Sequence, residues 1–273
     1  MSTRTAIVTG AGRNIGFAIA RHLALKRLRV VVNALHADEA EHAAAALRST
    51  GGEAVGVAAD VSDPDEVAAL FDVVADRWGV ADVLVNNAAA PMVARQPLLQ
   101  VDPGDWDRSF AVNARSVFLC VREFAHAATQ GGKVAASDSA VVNISSVGAT
   151  RAHRNAVAYD ATKGAVEAAT RSMALDLAPL GIRVNAVSPG AVINDRLAGA
   201  DPADLAARAA TIPLGRIGTG DDVATAVAFL AGSESAYVTG QVLQVDGGLS
   251  AQARPPGADV FADQGPHTTP FRK

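Results

Sequence analysis

The segment that decides the fold runs from Thr5 to Gly16 and reads Thr-Ala-Ile-Val-Thr-Gly-Ala-Gly-Arg-Asn-Ile-Gly. Its apolar start predicts a short buried strand, and a helical pattern continues beyond it to Arg27. Glycines between a strand and a helix let backbone amides approach a pyrophosphate at the positive end of that helix. The general fingerprint Gly-x-Gly-x-x-Gly is not met, because Gly16 comes one residue late. Taken alone, the segment predicts either a nucleotide-binding loop or an ordinary glycine-rich turn.

Short runs rich in Val and Ile alternate with longer helical patterns along the rest of the chain. Such alternation predicts a doubly wound α/β fold with a seven-stranded parallel sheet, right-handed crossovers and helices on both faces. Ligands of these sheets bind beyond the carboxyl ends of the strands. We predict strands near 5–9, 29–33, 54–59, 82–86, 139–145, 182–188 and 241–246, and helices near 15–27, 38–50, 64–78, 105–129, 158–179 and 220–231.

Length and composition are typical of a soluble enzyme. A chain of 273 residues is long enough to bury one sizeable core. The net charge of −4 and the lack of a basic run argue against a nucleic-acid partner. No stretch approaches the roughly 18 apolar residues of a membrane span, so no membrane contact is expected. The lone Cys120 excludes an intrachain disulfide and favours a cytoplasmic location, and the six histidines show no metal-ligand spacing.

A tyrosine and a lysine stand four residues apart in Tyr159-Asp-Ala-Thr-Lys163, thirteen residues after Ser146. On a helix this spacing places the ammonium beside the phenol. Proton transfer by a tyrosine near neutral pH requires its pKa to fall by roughly three units, or about 4 kcal/mol. A lysine at roughly 4 Å supplies about that much at an effective dielectric constant near 20. The pattern predicts acid/base chemistry at a hydroxyl or carbonyl, although a surface tyrosine beside a lysine would look the same.

Together, these features resemble the classical short-chain dehydrogenase/reductase family, whose nucleotide loop reads T-G-x-x-x-G-x-G and whose active site carries Y-x-x-x-K. The resemblance implies a single Rossmann-type domain over 1–248 and an NAD(P)(H)-dependent interconversion of a ketone and a secondary alcohol. Further family motifs appear in order as Asp60-Val61, Asn86-Asn87-Ala88-Ala89, Asn113, Asn143-Ile-Ser-Ser146, Pro189-Gly190, Tyr237-Val-Thr-Gly240 and Val245-Asp-Gly-Gly248.

The resemblance also implies a role for each catalytic residue. Tyr159 would donate a proton to the carbonyl oxygen, which Ser146 would orient. Lys163 would lower the tyrosine pKa and hold the nicotinamide ribose, and Asn113 would anchor a water-linked proton path. Cofactor contacts would come from Gly10, Gly12, Arg13, Asn14, Ile15, Gly16, Asn33, His36, Asp60, Val61, Asn87, Ala88, Tyr159, Lys163, Pro189, Gly190 and Val192.

Three residues depart from the family pattern. Asn14 replaces the middle glycine of the nucleotide loop, but asparagine tolerates left-handed backbone angles, so we expect the loop to survive. Ala89 adds a methyl group beside the cofactor. Asn194 replaces a threonine that often bonds the nicotinamide amide, and it can still donate and accept hydrogen bonds.

Cofactor choice depends on the end of the second strand. An acid there would bind the ribose hydroxyls of NAD(H) and repel the extra phosphate of NADP(H). This chain has Asn33-Ala-Leu-His36 instead, and Arg13 can reach the same region. Because family members with an arginine in this loop commonly use NADP(H), we predict NADP(H) over NAD(H). The alternatives are a solvated Arg13 and a His36 that is merely a surface residue.

The sequence predicts a small carbonyl compound or alcohol as the substrate without identifying it. Pocket walls should come from 90–102, 147–158 and 194–213, where Asp201 begins a short helix that resembles a family lid. The cationic stretch Thr150 to Arg154 indicates either an anionic substrate group or a solvated loop. A 3-oxoacyl-thioester reductase and a non-catalytic cofactor-sensing protein are the alternative functions, the latter disfavoured by the retained catalytic residues.

The sequence also bears on the oligomeric state and on the C-terminal tail. Helices near 105–129 and 158–179 carry many small residues, and in the resembling family these helices form a subunit interface. We therefore predict a homotetramer, with a dimer as the alternative. The tail 249–273 changes in composition and contains four prolines. It is either a disordered end or an arm on a neighbouring subunit.

Overall fold

The structure is a computed structural model, which describes residues 3–90, 96–131 and 139–258. Within these ranges the strands are Thr5–Val8 (β1), Arg29–Ala34 (β2), Ala54–Ala58 (β3), Val83–Asn86 (β4), Ser139–Ile144 (β5), Ile182–Pro189 (β6) and Val242–Val245 (β7). The helices are Asn14–Leu25 (α1), Ala37–Ser49 (α2), Pro64–Trp78 (α3), Pro103–Phe110 (α4), Ser116–Gln130 (α5), Val157–Leu177 (α6), Asp195–Ala198 (α7), Pro202–Ala209 (α8) and Gly220–Leu230 (α9).

All pairings between these strands are parallel, and the sheet order is β3-β2-β1-β4-β5-β6-β7. The chain winds outward from β1 to β3 and then continues on the other side of β1 from β4 onward. This reversal leaves a crevice at the carboxyl ends of β1 and β4, where such sheets bind their ligands. The predicted doubly wound α/β fold with a seven-stranded sheet is confirmed.

Helices cover both faces of the sheet and create two cores. On one face α1, α2 and α9 bury side chains such as Ile19, Leu47 and Val227. On the other face α3, α5 and α6 bury others, including Leu70 and Phe124. Because both faces are covered, β1, β4, β5 and β6 are buried along their whole length. Within the described ranges, no helix combines the length and apolarity that a membrane crossing requires.

The prediction of one continuous helix over 105–129 is wrong, because the structure divides this segment into two α-helices. Asp102 caps α4 by accepting from the amide of Gly104, so the helix begins two residues earlier, at Pro103. A π-helical turn over Ala111–Arg115 then separates α4 from α5. Such turns are frequent at functional sites, and this one contains the buried Asn113. Apolar periodicity cannot reveal one wider turn inside a helical stretch.

The segment after β6 carries two short helices over the carboxyl edge of the sheet. The helix expected from Asp201 is present as α8, and the Asp201 carboxylate accepts from the amide of Ala203 at 2.7 Å. The helix α7 was not predicted, because four residues are too few to show a periodic pattern.

The start of the tail is bound to its own subunit. The Asp246 carboxylate accepts from the amide of Ser250 at 2.7 Å. Arg151 donates to the carbonyl oxygens of Ser250 and Gln252 at 2.7 and 2.8 Å. The side-chain amide of Gln252 donates to the carbonyl of Thr211 at 2.8 Å. The tail was predicted over 249–273 as a disordered end or an arm on a neighbouring subunit; residues 259–273 lie outside the described residues, so that choice stays a prediction.

Candidate active site

The backbone of the loop between β1 and α1 adopts a conformation that requires glycine or asparagine at particular positions. Gly10 and Asn14 adopt the left-handed φ values of 59° and 52°, so Asn14 takes the backbone conformation that was expected to let the loop survive. A Cβ atom on Gly16 would collide with the carbonyl oxygen of Gly10. On Gly10 it would lie 2.8 Å from the Cα of Ala88. Close backbone approach therefore explains both glycines.

This loop presents the amino end of α1 to the crevice. The residue before the helix, Arg13, makes no side-chain capping bond, and the first turn holds no acidic side chain. The first amides of α1 are consequently available to an anion. Asn87 holds the loop in place, because its side-chain amide donates to the carbonyls of Thr9 and Gly10 at 3.0 and 2.9 Å. The cradle fits the pyrophosphate of a nicotinamide dinucleotide.

Asn33 has a structural role that its sequence position did not reveal. It is buried, and its Oδ1 accepts from the amide of Gly10 at 3.3 Å. Its Nδ2 donates to the carbonyls of Val57 and Ala59 at 3.3 and 3.1 Å. The side chain thus ties β2 to β3 and to the glycine loop. Asn33 was predicted as a cofactor contact, and it lines the cavity near the end of β2, but its side-chain polar atoms are engaged within the protein.

Glu39 and Asp195 are two cleft residues that the sequence analysis missed. Glu39 lies in the first turn of α2, against Gly12, and forms an ion pair with Arg13 at 3.4 Å. Asp195 accepts from the side-chain amide of Asn14 at 2.9 Å, and Oδ1 of Asn14 accepts from the Asp195 amide at 3.0 Å. The sequence did predict a helix near 38–50 after β2, and the place of Glu39 in the first turn of that helix could have indicated that it lies near the glycine loop. Arg13 is therefore flanked by two carboxylates rather than fully solvated.

One cavity of about 980 Å³ joins the glycine loop to the catalytic residues. Gly12 and Asn113 do not line it; the other predicted site residues do. Val192 is held at its wall by a bridge to Gly218. The lining residues among the predicted set are Gly10, Arg13, Asn14, Ile15, Gly16, Asn33, His36, Asp60, Val61, Asn87, Ala88, Ser146, Tyr159, Lys163, Pro189, Gly190 and Val192.

Ser146, Tyr159 and Lys163 meet at the carboxyl end of β5. Ser146 follows the strand and accepts from the amide of Gly148 at 3.1 Å. Tyr159 lies in the first turn of α6, and Lys163 lies one turn later. The Lys163 ammonium donates to the carbonyl of Ile144 at 2.8 Å and is 5.7 Å from the centre of the Tyr159 ring. The expected shared helix face is thus present.

Burial dominates the ionisation of this group. It raises the pKa of Tyr159 above its ordinary value, while the hydrogen bond from Ser146 acts in the opposite direction and the charge of Asp160 adds to the rise. Burial lowers the pKa of Lys163 to about 8. The expectation that Lys163 lowers the pKa of Tyr159 is therefore not met in this structure. A protonated Tyr159 is the form that can donate a proton.

Asn113 joins the π-helical turn to α6. Its Oδ1 accepts from the amide of Ala90 at 2.8 Å, and its Nδ2 donates to the hydroxyl of Thr162 at 3.2 Å. The Thr162 hydroxyl in turn donates to the carbonyl of Tyr159 at 2.6 Å. These contacts place Asn113 behind the tyrosine, where it positions the first turn of α6.

Comparisons with known proteins agree with this geometry. The sequence model described as enoyl-(acyl carrier protein) reductase matches residues 10–250. The chain is 42% identical to cis-4-hydroxycyclohexanecarboxylate dehydrogenase of Sinomonas cyclohexanicum, over 91% of this chain and 97% of that protein. It is 37% identical to the 3-oxoacyl-[acyl-carrier-protein] reductase FabG of Staphylococcus aureus, over 90% and 98%. The structure of 3-oxoacyl-[acyl-carrier protein] reductase from Brucella melitensis matches with a TM-score of 0.83 and 32% identity, over 91% of each chain.

Proposed function

Because the chain belongs to the classical short-chain dehydrogenase/reductase family, we propose that Tyr159 is the acid/base with which this oxidoreductase interconverts a ketone and a secondary alcohol. The observation that carries the proposal is the meeting of Ser146, Tyr159 and Lys163 in the cavity that the glycine loop also lines. When bound, NAD(P)(H) would supply or accept the hydride. The chain itself supplies the proton transfer and the orientation of the substrate.

The three side chains have distinct roles in this proposal. The raised pKa of Tyr159 keeps its hydroxyl protonated, so it donates a proton to the carbonyl oxygen in the reducing direction. Ser146 accepts from the Gly148 amide and is hydrogen-bonded to Tyr159, so its hydroxyl is positioned beside the tyrosine to orient the substrate oxygen. Lys163 is 3% exposed and its ammonium donates to the Ile144 carbonyl beside Tyr159, so it is shielded from water and would be available to the ribose of a bound cofactor.

Asn113 and the loop residues support these groups. We assign Asn113 a positioning role, since it acts on Tyr159 through Thr162. The cofactor would be held by the amides of the loop Gly10 to Gly16, by Asp60 and Val61 after β3, and by the segment Pro189 to Val192 after β6. These positions ring the crevice at the switch between β1 and β4.

A screen of paired ketones and alcohols tests the function. Each compound is offered with NADPH, NADH or the oxidised forms, and the absorbance of the reduced nicotinamide is followed. The relatives suggest two probes: 4-oxocyclohexanecarboxylate and an acetoacetyl thioester. Turnover of the thioester above the cyclic ketone would favour the second candidate, a 3-oxoacyl-thioester reductase. Cofactor binding without turnover of any compound would favour a non-catalytic sensing protein and contradict the proposal.

We propose NADP(H) as the preferred cofactor, with Arg13 as the residue that reads its extra phosphate. The Arg13 side chain is 70% exposed at the mouth of the nucleotide end, beside Ala34 and His36, and β2 ends without an acid. Arg13→Ala should weaken NADP(H) by about 1.5–3 kcal/mol, the range for a charged hydrogen bond, and leave NAD(H) nearly unchanged. Calorimetric titration of both cofactors measures this difference.

Two further variants sharpen the cofactor test. Glu39→Gln removes the carboxylate that pairs with Arg13, so NADP(H) should bind more tightly to that variant. Arg21→Ala removes an arginine that pairs with Asp221 outside the cleft, and it serves as the control. Equal losses for the two cofactors in Arg13→Ala would show that Arg13 does not read the phosphate.

We propose a homotetramer, with a dimer as the alternative. Phe118 on α5 and Leu175 on α6 are exposed, Leu175 by 76%. Near the sheet edge, Tyr237 is fully exposed and Leu243 projects from β7. Apolar side chains at two separate surfaces fit two interfaces related by two-fold axes. Light scattering should give four chains, and Leu243→Lys should give two. A monomeric wild-type protein would contradict this assembly.

A cytoplasmic location is proposed on chemical grounds. Cys120 is the single cysteine of the chain and is buried in the core. Burial raises the pKa of its thiol to about 12, which keeps the sulfur protonated and unreactive. A chain with one inert thiol and no disulfide suits a reducing compartment. Fractionation of cells that express the protein checks the location.

A further inference from the structure

The carboxylates of the cleft are gathered at its nucleotide end. Glu39 lies beside Gly12 and Arg13, Asp60 follows β3, and Asp195 is bound to Asn14. Among the described lining residues, no carboxylate belongs to the opposite end, where the catalytic tyrosine lies. The arginines that line the cavity outside the glycine loop are Arg108 and Arg208, and the His153 side chain lines it as well. Apart from Glu39, Asp60 and Asp195, no described lining residue carries a carboxylate that could offset the charges of Arg108 and Arg208.

His153 is held firmly at this end. Its backbone amide donates to Oδ2 of Asp160 at 2.7 Å, and its Nδ1 lies 2.8 Å from Oδ1 of the same residue. A carboxylate can only accept, so Nδ1 carries the proton and Nε2 is left for another partner. Within the described ranges Nε2 makes no hydrogen bond. The ring lies edge-on to Tyr159, with 6.5 Å between the ring centres.

The local backbone is built around this contact. A Cβ atom on Gly148 would collide with the Asp160 carboxylate, so the pair packs tightly only because residue 148 is a glycine. Asn155 adopts a left-handed φ of 60°, which turns the chain back toward the head of α6. His153 is thereby placed beside the reacting group before any substrate arrives.

The two arginines approach the cavity from separate helices. Arg108 is on α4, which packs against α6, and Arg208 is on α8. Neither guanidinium has a hydrogen bond or ion pair with any residue that the structure describes, although Asp204 stands four residues before Arg208 on the same helix. Unpaired arginines that line a cavity are suited to bind a carboxylate in a bidentate manner.

The charged and polar side chains of residues 150–154 have different surroundings in the structure. The Arg151 guanidinium is engaged with backbone carbonyls of the tail, and Arg154 is exposed and does not line the cavity. Only His153 of this stretch reaches the site. The two alternatives from the sequence, an anionic substrate group and a solvated loop, both remain predictions for this stretch.

Resting on the proposed function, we propose that the substrate carries an anionic group, a carboxylate, that binds at the substrate end between Arg108 and Arg208, beside His153. Asp160 is the positioning residue that orients the imidazole. The reacting carbonyl lies against Tyr159 and Ser146, while the carboxylate remains at the cationic wall. A neutral analogue would leave these cations without a partner and bind more weakly.

A matched pair of ketones tests the proposal: 4-oxocyclohexanecarboxylate and its methyl ester, which differ in one charge. Wild-type kcat/KM should favour the acid by at least about 10-fold. Arg108→Gln and Arg208→Gln should each reduce that preference mainly through KM. Arg154→Gln, a neighbouring cation outside the cavity, should leave the preference intact.

A binding measurement makes the subsite independent of turnover. Cyclohexanecarboxylate and cyclohexanecarboxamide lack the reacting oxygen, and calorimetry with NADP⁺ present should show the acid binding more tightly to wild type and losing that advantage in Arg208→Gln. Acid binding without turnover of any ketone would retain the subsite and refute the proposed function. Equal kcat/KM for acid and ester, or no preference for the acid in binding, would overturn the subsite and show solvated surface cations.

Discussion

Replacing Tyr159 by phenylalanine is expected to lower kcat by at least about 10²-fold, the usual contribution of one acid/base group. The variant keeps the ring that packs near His153 and Lys163, and it loses only the hydroxyl that donates the proton. Tyr159 is also a predicted cofactor contact, so a cofactor titration of the variant shows whether its hydroxyl contributes to cofactor affinity. Steady-state rates and a cofactor titration on the same preparation measure both effects.

The chain offers a matched control for this experiment. Its other tyrosine, Tyr237, is fully exposed beside the last strand and lies outside the cavity. Tyr237→Phe removes the same atom and should keep normal kcat. Near-normal turnover in Tyr159→Phe, with turnover still dependent on Ser146, would contradict the assigned acid/base role.

Lys163→Met is expected to lower kcat by about 10²-fold or more and to change how stability depends on pH. The unfolded lysine has a pKa of 10.5, and burial lowers the pKa in the folded protein to about 8. Between these values the unfolded chain binds more protons, so wild-type stability rises with pH across this window. The gain relative to Lys163→Met should approach about 3 kcal/mol, with the larger part absent below pH 8.

Denaturant unfolding of both proteins at several pH values measures this difference. Lys26→Met is the control, because Lys26 is exposed and paired with Glu234 at 3.5 Å. That variant should follow the wild-type pH dependence. Parallel curves for wild type and Lys163→Met would contradict a buried lysine whose proton is lost near pH 8.

The sequence predicted most of the fold because its signals are local. Runs of Val and Ile, separated by helical periods, place the strands within two residues of their observed positions. The left-handed angle of Asn14 was also predictable, since few side chains tolerate it. The gathering of Ser146, Tyr159 and Lys163 followed from strand ends and from a spacing of one helical turn.

The features that the sequence did not predict depend on contacts between residues that are far apart in the chain. The hydrogen bonds of Asn33 join three separate stretches of chain, so its burial was invisible at the end of a predicted strand. The π-helical turn at Asn113 interrupts a pattern that still looks helical. The pKa of Tyr159 depends on desolvation, which the spacing to Lys163 does not describe. Glu39 enters the cleft only because α2 folds against the glycine loop.

The central claim is that this cleft moves hydride to a carbonyl carbon while Tyr159 supplies the proton. Reduction of 4-oxocyclohexanecarboxylate with NADPH that carries deuterium at its transferable position tests it directly. The account predicts deuterium on the carbinol carbon of the product formed by wild type, and almost no product from Tyr159→Phe over the same time. Oxidation of NADPH without deuterium in the product, or equal labelling by the two proteins, would contradict it.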